Sequence, residues 1–341
     1  MPDERSAYVT LALVPGIGHA RMRALLAEFG TANGALAAPF ARLCAVRGMS
    51  SAAATALAST PRDSGEQAIA AAERLGARVL VPGDDEYPER LTVIPEPPTV
   101  LFAAGDLTLL RRPAVAVVGS RDPTMYGVDV CRRLVANAVS SGLVVVSGMA
   151  RGLDAAAHEQ ALALGGGTVG VLGNGVGVVY PAANRRLYER MRECGLLLSE
   201  FPPGERPNAG SFPRRNRLIS GLAAVTVVVE AGVTSGALIT AGTALDQGRE
   251  VLAVPGPITS PTSAGTNRLI RDGAAPYLEP DDLLRCYEGL QQAKPAAGPA
   301  QASDTARLAG LLAEDAAGVD TLAARAGLPV AEVLAQLGAL E

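Results

Sequence analysis

The sequence predicts an α/β protein centred on a mostly parallel sheet, and three observations carry that expectation. Six apolar, largely β-branched runs recur between residues 113 and 288: Val115–Val118, Leu143–Ser147, Thr168–Leu172, Leu196–Ser199, Val225–Glu230 and Val251–Val254. They are continuous rather than alternating, as strands buried on both faces must be. Helical stretches separate them, which is the grammar of βαβ units.

The flanking segments read differently. Over residues 1–60 the pattern is short helices. Leu11 to Gly18 ends in Pro-Gly-Ile-Gly, and Met22, Leu25, Leu26 and Phe29 then form an i, i+3, i+4, i+7 stripe closed by Gly30. Helix, glycine hairpin and second helix make a helix-hairpin-helix-like unit, whose free backbone N–H groups suit a phosphate; a bundle that merely packs fits the same pattern. A weaker turn follows at Arg47-Gly48-Met49. Residues 61–112 give a helix near 64–75 and a turn-rich connection into the core, where Tyr87-Pro88 and Pro95-Glu96-Pro97-Pro98 enforce extended chain. After the core, residues 289–303 turn to Ala, Pro, Gln and Gly, a linker composition. Residues 304–341 then read as a helix-turn-helix, with Leu308, Leu311 and Leu312 before the glycine turn and Val330, Val333, Leu334 and Leu337 after it. The chain ends where a winged-helix domain adds its wing, so this domain is expected to be truncated.

Length and composition bound the function. The chain has 341 residues, 48% of them hydrophobic, which is enough for two or three domains with a real core. Net charge is −4, so any nucleic-acid contact must come from a local patch. Lys294 is the single lysine among 30 basic residues, which leaves phosphate contacts to arginine and backbone N–H groups and provides no Walker or Schiff-base lysine in the core. Cys44, Cys131, Cys194 and Cys286 form no C-x-x-C pair and are expected to be free thiols in a reducing compartment. No apolar run reaches membrane-spanning length, and a cytoplasmic protein without a membrane partner is expected.

In a doubly wound sheet, ligands sit beyond the carboxyl ends of the strands, so the loop after each strand is informative. The first strand leads to Gly119, Ser120 and Arg121, able to admit, hold and neutralise a phosphate. The second leads to Arg151, Gly152 and Asp154, a candidate N-cap, and to His158, which is expected to be a packed structural histidine. The third leads to Gly173-Asn174-Gly175 and Tyr180-Pro181, before a helix whose Arg185, Arg186, Arg190 and Arg192 read as a solvated face. After the fourth comes Phe212 among Arg214, Arg215, Asn216 and Arg217, an aromatic within a basic cluster, as stacking on a base while neutralising phosphates requires. Ser235, Gly236 and Thr240 follow the fifth strand, and Asn267 follows the last. The six strand ends thus converge on a groove for a polyanion. No Ser-His-Asp arrangement, H-E-x-x-H or P-loop is present, so no catalytic group, metal or cofactor is expected.

Taken together, these loops resemble the DNA-processing protein A (DprA/Smf) family. The motifs are V-G-S-R-x-P-T-x-Y-G from Val118, S-G-M-A-R-G-L-D-A-A-A-H from Ser147, F-P-R-R-N-R-L-I-S-G-L from Phe212, E-A-x-x-x-S-G-A-L-I-T-A from Glu230, and V-P-G with S-A-G-T-N-R-L-I-R-D-G-A from Val254 and Ser263. The Y-P-x-x-L-x-x-I-P-x-P-P stretch from Tyr87 is similar too, so the likeness covers about residues 5–285. It implies an extended Rossmann-like domain, an N-terminal helical (helix-hairpin-helix or SAM-like) domain and a C-terminal winged-helix-like domain. It also implies a non-catalytic homodimer that binds single-stranded DNA, protects it during natural transformation and loads RecA as single-strand-binding protein is displaced. Its pocket residues map onto Gly119, Ser120, Arg121, Phe212, Arg214, Arg215 and Arg217. Two positions depart from the family pattern. A lysine common shortly before the Phe is replaced by Asn208-Ala209-Gly210-Ser211, so one phosphate partner is either missing or supplied instead by Arg206 or Arg214. Gly177 stands where an Asp is common.

Two other readings compete. A Rossmann-fold nucleotide hydrolase of the lysine-decarboxylase-like group would carry P-G-G-x-G-T-x-x-E, and Glu230-Ala-Gly here has the wrong order. A duplex-reading transcription factor would need more basic residues than Arg307 and Arg325 in its last domain.

Overall fold

The structure, a computed structural model, describes residues 3–292. The chain up to Cys286 forms one compact unit, and a second begins at Tyr287. The expected helix-turn-helix and most of the expected linker lie outside the described residues.

The N-terminal third is helical: α1 (Glu4–Leu13), α2 (His19–Phe29), α3 (Ala32–Ala37), α4 (Phe40–Ala45), α5 (Ser51–Ser59) and α6 (Ser64–Arg74). Asp3 caps α1 by accepting from the Ser6 N–H at 2.8 Å. The expected hairpin between α1 and α2 is present, with Gly16 at φ +85°. A matching turn joins α4 to α5 at Gly48, and Arg21 ties the two together by donating to the carbonyls of Gly16 and Gly48. Leu11, Leu25, Leu43 and Leu57 fill the shared core. This bundle docks on the rest of the unit through α1 against α6. A Cβ on Gly65 would lie 2.0 Å from the Ser6 carbonyl oxygen, so the two helices touch at backbone distance.

The centre is a nine-stranded sheet: β1 (Arg78–Leu80), β2 (Leu101–Gly105), β3 (Ala114–Val118), β4 (Val144–Ser147), β5 (Thr168–Val171), β6 (Leu196–Ser199), β7 (Val225–Val228), β8 (Glu250–Ala253) and β9 (Ala275–Pro276), in the order β1-β2-β6-β5-β4-β3-β7-β8-β9. All pairings from β3 to β9 are parallel; β1 and β2 add an antiparallel edge beyond β6. The six expected strands are thus β3 to β8. The stretch read from sequence as a connection supplies β1 and β2, because Phe102 to Gly105 find in β6 a partner that no local pattern reveals.

The crossovers are α7 (Met125–Ser140), α8 (Leu153–Ala163), α9 (Arg185–Cys194), α10 (Ser211–Leu222), α11 (Gly236–Asp246) and α12 (Ala264–Arg271); α13 (Pro280–Gln292) follows the sheet. From central β3 the chain winds outward through β4 and β5 to β6, and α10 then carries it back to β7 on the other side of β3. The strand order reverses there, the point at which doubly wound sheets open a crevice. Leu218, Ile219 and Leu222 of α10 and Ala237, Ala241 and Ala244 of α11 pack on one face with Ala116, Val146 and Leu198. On the other face Leu187 and Met191 of α9 and Ala68 and Ala72 of α6 pack with Phe102 and Leu197. Among the described residues no helix is long and apolar enough to cross a membrane.

Phe102 is fully buried in that second layer. Phe102→Ala is expected to cost about 3–5 kcal/mol, read as a lowered denaturant midpoint at unchanged slope.

Candidate functional site

The crevice opens where the ends of β3 and β7 meet the start of α10. Its floor is built by glycines that let segments approach. A Cβ on Gly119 would sit 2.3 Å from Leu153 Cδ1, and one on Gly152 2.4 Å from the Ser120 carbonyl. Gly152 also holds φ +78°, ψ −127°, a conformation open to glycine alone. Gly152, not Asp154, is therefore the cap of α8; Asp154 lies in the first turn and accepts from the Ala150 N–H at 3.3 Å. The entry to α10 is set by Asn208, whose Oδ1 accepts from the N–H groups of Gly210 and Ser211, both at 3.0 Å. Ser211 Oγ donates to the Gly173 carbonyl and pins the helix start to the loop after β5.

The result is a cavity of about 710 Å³ lined by Gly119, Ser120, Arg121, Phe212, Asn216, Ser235, Gly236 and Thr240, among others. Phe212 stands at its rim, half-buried, with the Arg121 guanidinium 5.8 Å from the ring centroid. Arg121 is exposed and has no ion pair among the described residues. Ser235 caps α11. A stacking face, an available cation and the N-terminal N–H groups of α11 therefore border one space, which suits a flat ring carrying an anion.

The three arginines of α10 have separate fates. Arg215 is buried beneath the cavity and donates to the carbonyls of Gly148 and Val171, with Asp154 as its counter-charge. Burial pulls its guanidinium down to about 10, against the pull of Asp154, so it remains a cation at neutral pH. Burial likewise raises Asp154, although Arg215 and the Ala150 N–H favour the carboxylate. Arg217 bonds Glu200 at 2.6 Å and Arg214 bonds the same carboxylate at 3.1 Å while lying over Phe201. Neither lines the cavity. The sequence expectation of three cations around Phe212 is thus met in chain position, whereas in space Arg121 is the cation against the ring. Arg151 is exposed on the far side of Phe212, 3.9 Å from Asp122. Asn267 does not line the cavity; it makes two hydrogen bonds with the backbone of Gly256 and holds the loop after β8.

The buried acidic side chains near the crevice have partners, whereas Asp122 is exposed with only Arg151 nearby among the described residues, at 3.9 Å. Glu230, buried at the end of β7, accepts from Thr124 N–H and Oγ1 at 2.8 Å and from Thr262 Oγ1 at 2.7 Å. It staples the start of α7 and the loop before α12 to the sheet. Among the described residues no cluster of His, Cys, Asp or Glu could hold a metal. His158 is buried on α8, 2.7 Å from Thr168 Oγ1, and that hydroxyl donates to the Val145 carbonyl, so the ring acts as a structural prop. Sequence reasoning missed Tyr180 as a site residue. Its ring lies 5.5 Å from that of Phe212, and only the path of the loop after β5 brings the two together.

Comparison with known proteins finds similar sequences and folds. Residues 78–288 match the family model described as DNA recombination-mediator protein A, and residues 292–341 match the DprA winged helix domain. The chain is 42% identical to protein Smf of Escherichia coli over 273 residues, 77% of this chain and 73% of that one. It is 43% identical to DNA processing protein DprA of Streptococcus pneumoniae over 60% of this chain and 72% of that one. The X-ray structure of the S. pneumoniae protein superposes with a TM-score of 0.71, 33% identity, and coverage of 82% of this chain and 97% of that chain. A Helicobacter pylori DNA processing protein A structure, described for its single-stranded DNA binding mode, superposes with a TM-score of 0.57, 29% identity, and coverage of 63% and 96%.

Two outcomes are expected from the buried charges. Arg215→Ala leaves Asp154 uncompensated and should cost about 3–5 kcal/mol in a denaturant titration, whereas Arg121→Ala should leave the midpoint unchanged. Burial, with Arg215 adding to it, pulls His158 down to about 3, from 6.5 in an unfolded chain. Below pH 6.5 the unfolded state therefore binds a proton that the folded state refuses. Stability is intact above that pH and falls as it drops toward 3, by about 1.4 kcal/mol per unit. Between pH 7 and 5 the wild type should lose about 2 kcal/mol more than His158→Asn; equal losses would remove His158 as the source.

Proposed function

The chain belongs to the DNA recombination-mediator protein A family, and on that premise we propose that its crevice holds a single strand of DNA, without catalysis, for delivery to RecA. Binding of single-stranded DNA and loading of RecA are the family's activities, and protection of incoming DNA in natural transformation is part of the proposal. The observation that carries the assignment to this site is the pairing of Phe212 with Arg121 at the mouth of the cavity. The ring offers a face to any base, and the arginine offers a charge to the adjoining phosphate, so binding needs no sequence.

The occupied acids support a role without catalysis. A general base needs a free lone pair near the ligand; Glu230 and Glu200 spend theirs on Thr124 and Thr262 and on Arg214 and Arg217, and Asp154 faces the Arg215 guanidinium. Within this reading Gly119, Ser120, Ser235 and Gly236 supply close backbone approach and N–H groups, and Asn216 and Thr240 supply polar walls. Arg151 guides the strand from the rim, and Gly152 shapes the floor beneath it. Arg214, Arg215, Arg217 and Asn267 act by holding the frame. A homodimer, a cytoplasmic location and a handover from single-strand-binding protein complete the proposal. Tyr126 and Leu278, two exposed apolar residues that line one surface cavity, would suit the contact with a second copy.

Fluorescence anisotropy with labelled oligo-dT tests the site, with duplex and mononucleotides as competitors. Arg121→Ala should flatten the slope of log K against log salt by about 0.7. Phe212→Ala should weaken binding by about 1–3 kcal/mol with little change in slope. Equal slopes for Arg121→Ala and wild type would strike Arg121 from the contacts, and consumption of a mononucleotide would favour the hydrolase.

A further inference from the structure

A second cavity, of about 390 Å³, lies on the other side of the Phe212 ridge. It shares Arg121, Arg215 and Phe212 with the first and is closed by Gly173, Arg151 and Tyr180. Its size falls within the range of about 300–1,000 Å³ that small ligands occupy. Tyr180 is 47% exposed, although its ring sits 5.5 Å from that of Phe212 at a tilt of 36°. The residue therefore borders the space while staying about half exposed, in contact with the Phe212 ring.

The wall is fixed. Asn184, four residues after Tyr180, donates to the carbonyls of Met149 and Ala150 at 3.0 and 3.2 Å, tying the tyrosine loop to the loop after β4. Met149 itself stands at φ +56°, a left-handed backbone that costs a non-glycine residue free energy and clusters at functional sites. Beyond the wall, the first turn of α9 carries Arg185 and Arg186, both exposed and without an ion pair among the described residues. Cations at a helix N-terminus work against the helix dipole, so these two do not serve the helix.

We propose that this cavity is a second nucleotide subsite for the same strand, in which Tyr180 stacks the neighbouring base and Arg185 and Arg186 draw its phosphate. The inference rests on the single-strand reading of the first cavity and extends it. One strand then crosses the Phe212 ridge with a base on each side, leaving toward α9. The arginine face that reads from sequence as merely solvated becomes the continuation of the track.

The test uses the full chain and oligo-dT. Tyr180→Ala should weaken binding about 5- to 150-fold, the equivalent of one lost base stack, while Tyr180→Phe stays within about twofold. Arg185→Ala combined with Arg186→Ala should flatten the salt slope by about 1.4. Because the two rings touch, a second readout separates stacking from mere support of Phe212. Photocrosslinking of a 5-iodouracil-substituted oligonucleotide should label the Tyr180 peptide in both wild type and Phe212→Ala. Wild-type affinity of Tyr180→Ala, or crosslinks confined to Phe212, would overturn the second subsite and leave the first intact. Wild-type affinity of both Tyr180→Ala and Phe212→Ala would remove the single-strand site altogether.

Discussion

A buried guanidinium holds the crevice together. Arg215 reaches from α10 under the strand ends, takes the carbonyls of Gly148 and Val171, and faces Asp154 in the first turn of α8. Four separate segments therefore share one charge pair: the end of β5, the loop after β4, the start of α8 and the body of α10. Desolvating such a pair is costly, and its net worth lies less in stability than in fixing one arrangement. What it fixes here is the position of α10, and with it the aromatic ring three residues upstream. Glu230 does the same on the other flank, gathering Thr124 and Thr262 so that α7 and the loop before α12 frame the opening.

This scaffold explains how a chain of net charge −4 can host a polyanion. The charges that matter are those left unneutralised at the rim. On α10 the arginines are internally committed, Arg215 to Asp154 and backbone, Arg214 and Arg217 to Glu200. Arg121 faces the aromatic ring instead of an acid, and Arg185 and Arg186 stand beyond it without ion pairs among the described residues. A local field of this kind attracts phosphate without making the whole surface adhesive. It also divides two demands between arginines: Arg215 keeps the frame rigid, and Arg121 is the one proposed to meet the ligand.

Much of this architecture is legible in the chain. The strands β3 to β8 announce themselves because burial on both faces demands continuous apolar runs. The glycines after β3 and β4 are legible for a related reason, since close approach and positive φ leave few alternatives to Gly152. The edge strands β1 and β2 were not, because Arg78–Leu80 is too short to carry a pattern and Leu101–Gly105 follows a proline-rich stretch that reads as a connection. His158 reads from sequence as structural and is so in space, held by Thr168.

The sequence by itself determined the sheet, the order of its loops and the family to which the chain belongs, because each of these is written in short stretches whose residues act on their own neighbours. Only the tertiary structure decided which side chains meet. Phe212 and Arg121 are separated by more than two crossovers, yet they pair; Arg215 and Arg217 are two residues apart, yet one is buried and the other is tied to Glu200. Adjacent positions on a helix point in different directions, and the sheet brings distant strand ends to one line, so spacing along the chain fixes what a loop can do while packing fixes which residue does it.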